Sequence, residues 1–327
     1  MTPTPKVVVS ASIAFDHIMH FDGSFKDHIL EDKAHVISVS FLLGSLKQQR
    51  GGVAGNMGYN MALLGVPVAL VGAVGSDFGP YREVLEGLGV DLSHVVQKDD
   101  DFTATAYMNA DNHGNQIASF YPGPGAAAQE LDITDIASTA EYGIVSAGDP
   151  VAMVAHSEQI AKVGKLVFDP AFQIVILSGE QLARGLELAT IAMGNDYEFG
   201  MTERKTGLSV DDISRMTELT VVTYGEQGSE IRANGESYRI PVATPRVFAD
   251  PTGGGDAYRA GLMAGLLLRK DLPVVGRIAA LTATHAIEFH GPQEHTYTRE
   301  SFVSRFDEAF PDFRGALTVD DLESLAT

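Results

Sequence analysis

The sequence predicts an α/β protein: a three-layer, doubly wound and mostly parallel sheet that carries a small β lid. Short apolar runs rich in β-branched residues alternate with segments of helical periodicity through most of the chain. Parallel strands need helical crossovers, so this alternation is typical of a parallel sheet covered on both faces. Two stretches, at about residues 15–50 and 101–122, alternate apolar and polar residues without intervening helices, and these predict the lid.

Each element follows from its local pattern. Six apolar runs predict buried strands: Val7–Ile13, Val68–Val74, Gly143–Ala147, Lys165–Phe168, Ala189–Met193 and Leu219–Thr223. Helical periodicity lies between or beyond them, in Asn56–Leu64, Pro80–Leu88, Val151–Lys162, Glu180–Leu188, Val210–Thr217, Gly255–Arg269, Val274–His290 and Arg299–Ala309. The second lid segment predicts a hairpin that turns at residues 112–114. We expect residues 1–310 to form one domain, followed by a polar, acidic tail at 311–327 that frays.

Composition narrows the function classes. The 327 residues include 23 Lys and Arg against 43 Asp and Glu, a net charge of −20, with no basic block. This acidic excess argues against nucleic acid and anionic membranes as partners. The absence of cysteine excludes disulfides, thiolate metal sites and cysteine nucleophiles. No apolar run approaches the roughly 20 residues that cross a bilayer, so we expect a soluble, cytoplasmic protein.

The most informative segment is a glycine-rich turn before a long helix. Gly253, Gly254 and Gly255 place free backbone amides at the helix N-terminus, where they can form an anion hole for a phosphoryl group. Asp256 follows at the helix start and could accept a proton from an attacking hydroxyl. The same residues would also serve as a tight turn with an N-cap, and the segment alone does not separate the two interpretations.

A second glycine pair, Gly51 and Gly52, leads into another helix that carries Asn56. The backbone there can approach a ligand, and the amide of Asn56 can bind vicinal hydroxyls. Asp16 follows the first predicted strand, at the sheet edge where α/β proteins bind ligands. Ordinary turn and cap chemistry remains the alternative for both features.

Several well-known motifs are missing. The chain has no G-x-x-x-x-G-K-[ST] phosphate loop and no G-x-S-x-G nucleophile turn. The run Gly123–Ala128 matches the letters of a dinucleotide fingerprint, but two prolines flank its first glycine and no first strand–helix unit surrounds it. A nicotinamide site is therefore not expected.

Five motifs, in order along the chain, together resemble the ribokinase-like (PfkB) carbohydrate and nucleoside kinases. Residues 250–263 are similar to the C-terminal signature of that family, and 51–56 to its N-terminal glycine pair with Asn. The others are the strand and turn at 71–79, an N-x-x-E element at 195–198 and a T-x-G-x-x-G strand at 223–228. The resemblance spans nearly the whole chain.

The resemblance implies a role for each matching position. Asp256 would be the general base, and the three glycine amides before it the anion hole for the γ-phosphoryl group. The acceptor would bind to Asp16, Gly51, Gly52 and Asn56. ATP, the co-substrate, would bind to Asn195, Thr223 and Gly225, and Mg²⁺ would be held by Glu198 and Asn195 through water. A monovalent cation is a further expectation. The family includes monomers and homodimers, and the sequence leaves that choice open.

The acceptor is less well defined. The lid run 116–123 resembles bacterial adenosine-kinase-like members, which implies transfer to the 5′-hydroxyl of a nucleoside, with adenosine first and a role in purine salvage. Gly123-Pro124-Gly125 departs from their pattern. Lid residues Phe102, Phe120 and Tyr121 could stack on a base. The alternatives are a sugar kinase of ribokinase or fructokinase type, and a catalytically silent nucleotide- or nucleoside-binding protein.

Overall fold

The computed structural model describes residues 4–28 and 39–326. The strands are β1 (Val7–Ser10), β2 (Ala14–Phe21), β3 (Leu43–Gly51), β4 (Val68–Gly75), β5 (Asp91–Lys98), β6 (Ala104–Asp111), β7 (Gln116–Tyr121), β8 (Tyr142–Val145), β9 (Lys165–Phe168), β10 (Ile191–Asn195), β11 (Leu219–Thr223), β12 (Ser229–Ala233) and β13 (Glu236–Ile240). The helices are α1 (Val53–Leu64), α2 (Gly79–Gly87), α3 (Thr134–Thr139), α4 (Pro150–Val163), α5 (Gly179–Leu188), α6 (Asp196–Thr206), α7 (Val210–Met216), α8 (Gly254–Leu267), α9 (Leu272–Ile287), α10 (Arg299–Ala309) and α11 (Val319–Ser324).

A nine-stranded sheet forms the centre, in the order β13-β12-β11-β10-β9-β8-β1-β4-β5. All its pairings from β5 to β11 are parallel, and β12 and β13 add an antiparallel edge. Apolar residues cover both faces: Val7 and Val9 pack in one hydrophobic cluster with α8 and α9, whereas Val8 packs in the other with α4 and α5. The predicted three-layer, mostly parallel α/β architecture is confirmed.

The first predicted strand, Val7–Ile13, is wrong in its extent. β1 ends at Ser10, and the chain then crosses to a second sheet, where β2 begins at Ala14. The amide of Ser12 donates to the carbonyl of Ala147 during this crossing. Ile13 is only 1% exposed, so the apolar pattern continues through a segment that is buried without belonging to either sheet.

The second sheet has four strands in the order β3-β2-β6-β7 and corresponds to the predicted β lid. Strands β6 and β7 are antiparallel and joined by a turn over residues 112–115, as the hairpin prediction required. All six residues of β7 are solvent-exposed. Residues 29–38 of the first predicted lid segment lie outside the described residues.

The expectation of a frayed acidic tail at 311–327 is wrong for the part that the structure describes. Thr318 caps α11 reciprocally with Asp321, and Asp321 also accepts a hydrogen bond from Lys270 at 2.8 Å. Leu317, Leu322 and Leu325 are at most 2% exposed and belong to a main hydrophobic cluster. Asp312, Asp320 and Glu323 are exposed while the leucines share a buried side, and average polarity conceals this division.

Candidate active site

Asp256 lies in the first turn of α8, at the carboxyl edge of the large sheet. Gly253 precedes the helix with φ of 78°, a left-handed conformation that other residues rarely adopt, and any side chain there would overlap Pro292. The Asp256 side chain is 13% exposed, and its Oδ2 accepts a hydrogen bond from Nδ2 of Asn56 at 2.8 Å. A carboxylate at a helix N-terminus is thus held by a residue of α1.

Of the three glycine amides expected to form the anion hole, two are free of protein acceptors and one is not. Within the described residues, the amide of Gly254 donates to the carbonyl of Pro251 at 3.2 Å, whereas those of Gly253 and Gly255 donate to no protein acceptor. Such first-turn amides have no partner inside the helix and can bind an anion.

A buried arginine that the sequence reasoning missed lies beside Asp256. Arg259 is ion-paired with Asp169, and its Nη2 lies 2.7 Å from Oδ1 of that carboxylate. Its Nη1 lies 3.6 Å from Asp256 Oδ1, and its Nη2 lies 4.0 Å from Glu198 Oε2. Gly255 leaves room for this guanidinium, since a Cβ there would lie 2.7 Å from Nη1. One cation therefore joins three carboxylates.

Asp169 is fully buried and follows β9 directly, with its amide bonded to the carbonyl of Val145. Its Oδ2 also accepts a hydrogen bond from the Ser146 hydroxyl at 2.8 Å. A polar residue directly after a buried parallel strand was the available signal, since strand ends of that kind meet at the ligand-binding edge of the sheet.

These contacts set the protonation of the centre. Burial raises the pKa of Asp256 to about 6, although Arg259 and the hydrogen bond from Asn56 lower it. Burial opposes the charged form of Arg259, yet its carboxylate partners, Asp169 first, raise its pKa above the ordinary value. Asp256 is thus a carboxylate at neutral pH whose affinity for a proton is higher than that of an ordinary aspartate.

Asn56 is in turn held by Gln293, a third residue that the sequence reasoning missed. Nε2 of Gln293 donates to Oδ1 of Asn56 at 2.9 Å and also to the hydroxyl of Tyr81. The Tyr81 hydroxyl donates to the carbonyl of Gly51 at 3.0 Å. The predicted hydroxyl-binding amide of Asn56 is therefore engaged on both sides by protein groups. No sequence motif marks Gln293, since it lies in an irregular segment after α9.

Asp16 lies at the junction of the two sheets. It is the third residue of β2, opposite Gln49 of β3, rather than at the end of a strand of the large sheet. Gly52 lies between the end of β3 and the start of α1 and has a φ of 79°. Burial, and then the nearby charge of Asp250, raise the pKa of Asp16 to about 6. The predicted acceptor residues thus come together where the small sheet meets α1.

The predicted nucleotide residues lie at the carboxyl ends of neighbouring strands. Asn195 ends β10 and is the register partner of Thr223, which ends β11. Gly225 follows in an exposed turn with φ of 56°. Burial raises the pKa of Glu198, as does the charge of Asp169, although Arg259 lowers it. This edge lies next to the acidic centre because Glu198 contacts Arg259.

The side-chain oxygens of Asn195 and Glu198 are suited to binding Mg²⁺ through water rather than directly. Asn195 Oδ1 accepts from the amide of Glu198 at 2.8 Å, and Glu198 Oε2 accepts from the amide of Asn195 at 2.7 Å, a reciprocal helix cap. The described residues hold no cluster of three or more acidic or histidine side chains suited to a metal. Glu198 keeps one carboxylate oxygen, Oε1, outside this cap, and a single carboxylate is consistent with Mg²⁺ that is bound largely by water and phosphate.

A cavity of about 480 Å³ lies between the carboxyl edge of the large sheet and β7. Its lining is mainly apolar and includes Ile13, Val71, Ala104, Phe120, Met153 and Phe172. The rings of Phe120 and Phe172 meet edge to face with centroids 6.5 Å apart. The cavity reaches Ser146, which bonds Asp169, and Ser12, whose hydroxyl accepts from the amide of Val53. It therefore adjoins the acidic centre.

A carboxylate at a glycine-rich helix start, linked through Arg259 and Asp169 to the lining of an apolar cavity, forms a site of the kind that kinases use to activate an acceptor hydroxyl. The pfkB family carbohydrate kinase model matches residues 16–299, and the chain belongs to this family. It is a phosphotransferase with an alcohol group as acceptor.

Individual relatives agree with this membership. A nucleoside kinase of Methanothermobacter thermautotrophicus is 32% identical over 298 residues, 90% of this chain and 93% of that protein. The structure of Burkholderia thailandensis nucleoside kinase in complex with inosine has a TM-score of 0.81 at 34% identity, covering 93% of this chain and 98% of that one. The Methanocaldococcus jannaschii nucleoside kinase has a TM-score of 0.84 at 25% identity, covering 93% and 99%.

Among the described residues, no helix combines the length and apolar character needed to cross a membrane.

Proposed function

We propose that the protein is an ATP-dependent nucleoside kinase that transfers the γ-phosphoryl group to the 5′-hydroxyl of a nucleoside, with adenosine as the first candidate acceptor. The observation that carries this proposal is the carboxylate of Asp256, which Arg259 and Asp169 link to Ser146 in the lining of an apolar cavity that contains two phenylalanine rings. The nucleoside kinases among the similar proteins support the acceptor class, and the inosine complex of one of them favours purines. A cytoplasmic role in purine salvage belongs to the same proposal.

In the proposed reaction, Asp256 takes the proton of the 5′-hydroxyl as its oxygen attacks the γ-phosphorus. A new phosphorus–oxygen bond forms, the bond to the β,γ-bridging oxygen breaks, and ADP leaves with that electron pair. The free amides of Gly253 and Gly255 face the negative charge on the transferring group. Asp16, Gly51 and Gly52 hold the acceptor from the side of the small sheet.

The ATP side of the site belongs to the proposal as well. Asn195, Thr223 and Gly225 bind the nucleotide at the ends of β10 and β11, and Glu198 with Asn195 holds Mg²⁺ through water. Bound Mg²⁺ neutralises charge on the β- and γ-phosphates. The proposal also includes a monovalent cation near the anion hole, and it allows either a monomer or a homodimer. Both points can be tested on the purified protein, the first by cation dependence of activity and the second by its molecular mass in solution.

The substrate proposal is tested by ADP formation with adenosine, inosine, cytidine, ribose and fructose 6-phosphate as single acceptors. We expect turnover with purine nucleosides and the highest kcat/KM with adenosine. Turnover with ribose or fructose 6-phosphate and with no nucleoside would instead establish a sugar kinase. Binding of nucleosides without any ADP formation would establish the silent binding protein.

The Asp256→Asn variant tests the mechanism. Loss of a general base costs about 10²–10⁴-fold in kcat, while adenosine and ATP should still bind by calorimetry. The control is Asp320→Asn, the same exchange in the first turn of α11, which should keep full activity. Retained activity of Asp256→Asn would show that Asp256 is not the base.

A further inference from the structure

We propose that Gln293 is a positioning residue for the phosphoryl-transfer step: it fixes the amide of Asn56 so that the NH₂ group faces the carboxylate of Asp256. The inference rests on the proposed role of Asp256 as the base. It assigns a task to a residue that lies outside every sequence motif of the site, in the irregular segment between α9 and α10.

The two ends of the Asn56 amide have unlike partners. Its Oδ1 lies 2.9 Å from Nε2 of Gln293, and its Nδ2 lies 2.8 Å from Oδ2 of Asp256. An NH₂ group can only donate and a carboxylate can only accept, so each contact fixes the same orientation of the Asn56 amide. If that amide rotated by 180°, NH₂ would face NH₂ at Gln293 and two acceptor oxygens would face each other at Asp256. Gln293 therefore excludes the wrong orientation.

Gln293 is itself fixed. Gln293 is only 2% exposed. Its Nε2 also donates to the hydroxyl of Tyr81, a residue that is fully buried. That hydroxyl uses its own proton on the carbonyl of Gly51, 3.0 Å away, and so can only accept from Gln293. The carbonyl of Gly51 thus leaves the Tyr81 hydroxyl only as an acceptor. Gln293 Nε2 donates one N–H to that hydroxyl and the other to Oδ1 of Asn56.

The backbone of Asn56 leaves this arrangement little freedom. Asn56 is 5% exposed, and its carbonyl accepts from Nδ2 of Asn60, one turn further along α1. Asn60 Oδ1 in turn contacts Nε2 of His295, in the same segment as Gln293. Two side chains of one segment therefore hold two amides of α1. This explains why an irregular stretch of chain is buried against a helix of the active site.

The orientation has a measurable consequence at Asp256. The charged groups that act on this carboxylate are Arg259 of its own helix, which contacts it, and Asp169 after β9 and Glu198 of α6, while the uncharged hydroxyl of Tyr81 on α2 is a further titratable group nearby. Arg259 and the Asn56 donor favour the carboxylate, whereas burial and the two acidic groups oppose it. Loss of the Asn56 donor therefore raises the pKa of Asp256, and the base becomes protonated at a higher pH.

The test is the pH dependence of kcat in Gln293→Leu and Gln293→Glu, with adenosine and ATP saturating. In Gln293→Leu the amide of Asn56 is free to turn, and we expect the acid limb to move up by about one pH unit, which is about a tenfold loss of kcat on that limb. In Gln293→Glu a carboxylate oxygen faces Asn56 Oδ1 and turns the amide over, so the shift is larger. The KM for ATP should stay within about twofold, since phosphate contacts are not involved.

The matched control is Gln159→Leu, which removes the acceptor of a hydrogen bond from the amide of Ile133 on the other face of the sheet and should leave the acid limb in place. A folded Gln293→Leu variant with the wild-type acid limb would overturn the inference. If that variant does not fold, Gln293→Glu decides in the same way. The Asp256→Asn variant separates this result from failure of the proposed function. If that variant keeps its activity, Asp256 is not the base and the proposed function fails, whatever the Gln293 variants show.

Discussion

The acidic centre around Asp256 and the cavity under β7 are neighbours built in opposite ways. In the centre, Asp169 and Gln293 are at most 2% exposed, and each is tied to its partners by direct hydrogen bonds. In the cavity, Phe120 and Phe172 are 54% and 51% exposed and meet edge to face. One region is closed and polar, and the other is open and apolar.

The difference separates two tasks. Phosphoryl transfer needs a proton acceptor and oriented dipoles at fixed positions, which a buried hydrogen-bonded network provides. Acceptance of a base or sugar needs apolar surface in a pocket, which the exposed rings of Phe120 on β7 and Phe172 after β9 provide. We therefore expect substitutions in the first region to change kcat and stability, and substitutions in the second to change KM.

The largest loss of stability is expected at Asp169. Asp169→Asn removes one charge of a buried ion pair and leaves Arg259 without its main anchor, which costs about 3–5 kcal/mol of unfolding free energy. Arg259 then moves relative to Asp256, and kcat falls by more than about tenfold. Urea unfolding and steady-state kinetics measure both effects.

The control for this variant is Glu158→Gln, which breaks the exposed pair between Glu158 and Arg184. An exposed pair contributes only about 0–1 kcal/mol. Equal losses of unfolding free energy in the two variants would show that the Arg259–Asp169 pair stabilises the protein no more than an exposed pair does.

The next effect concerns pH. Since burial raises the pKa of Asp256 to about 6 and the base acts as a carboxylate, kcat should fall about tenfold for each pH unit below about 6. Asp16, also with a pKa of about 6, titrates in the same range, so Asp16→Asn is measured beside the wild type and should keep the limb in kcat. A limb near pH 4, where an ordinary aspartate titrates, would contradict the buried environment of Asp256.

The smallest effect is expected in the cavity. Phe120→Ala removes one ring of the aromatic pair and should raise the KM for adenosine by up to about tenfold, with little change in kcat. The control is Phe289→Ala, another exposed phenylalanine, which is absent from the cavity lining. A loss of kcat in Phe120→Ala with KM unchanged would mean that the lid serves the chemical step.

The two regions also differ in how far the sequence predicted them. The glycine turn, Asp256 and Asn56 were predicted because their backbone and cap chemistry is encoded by adjacent residues. Asp169, Arg259 and Gln293 were missed. Each has a partner 90 or more positions away along the chain, as in the hydrogen bonds Arg259–Asp169 and Gln293–Asn56. No local pattern marks Arg259 or Gln293, and Asp169 has only its position directly after a buried strand.

The sequence alone determined the alternation of strands and helices, the extents of Lys165–Phe168 and Leu219–Thr223, and the kinase motifs. Local periodicity and turn chemistry are sufficient for these features. Only the tertiary structure decided where the first strand leaves the sheet, that Leu322 draws the acidic tail into the core, and that Asp256 is held between Arg259 and an oriented amide. These features depend on burial and on side-chain geometry across distant segments, which the order of residues along the chain does not express.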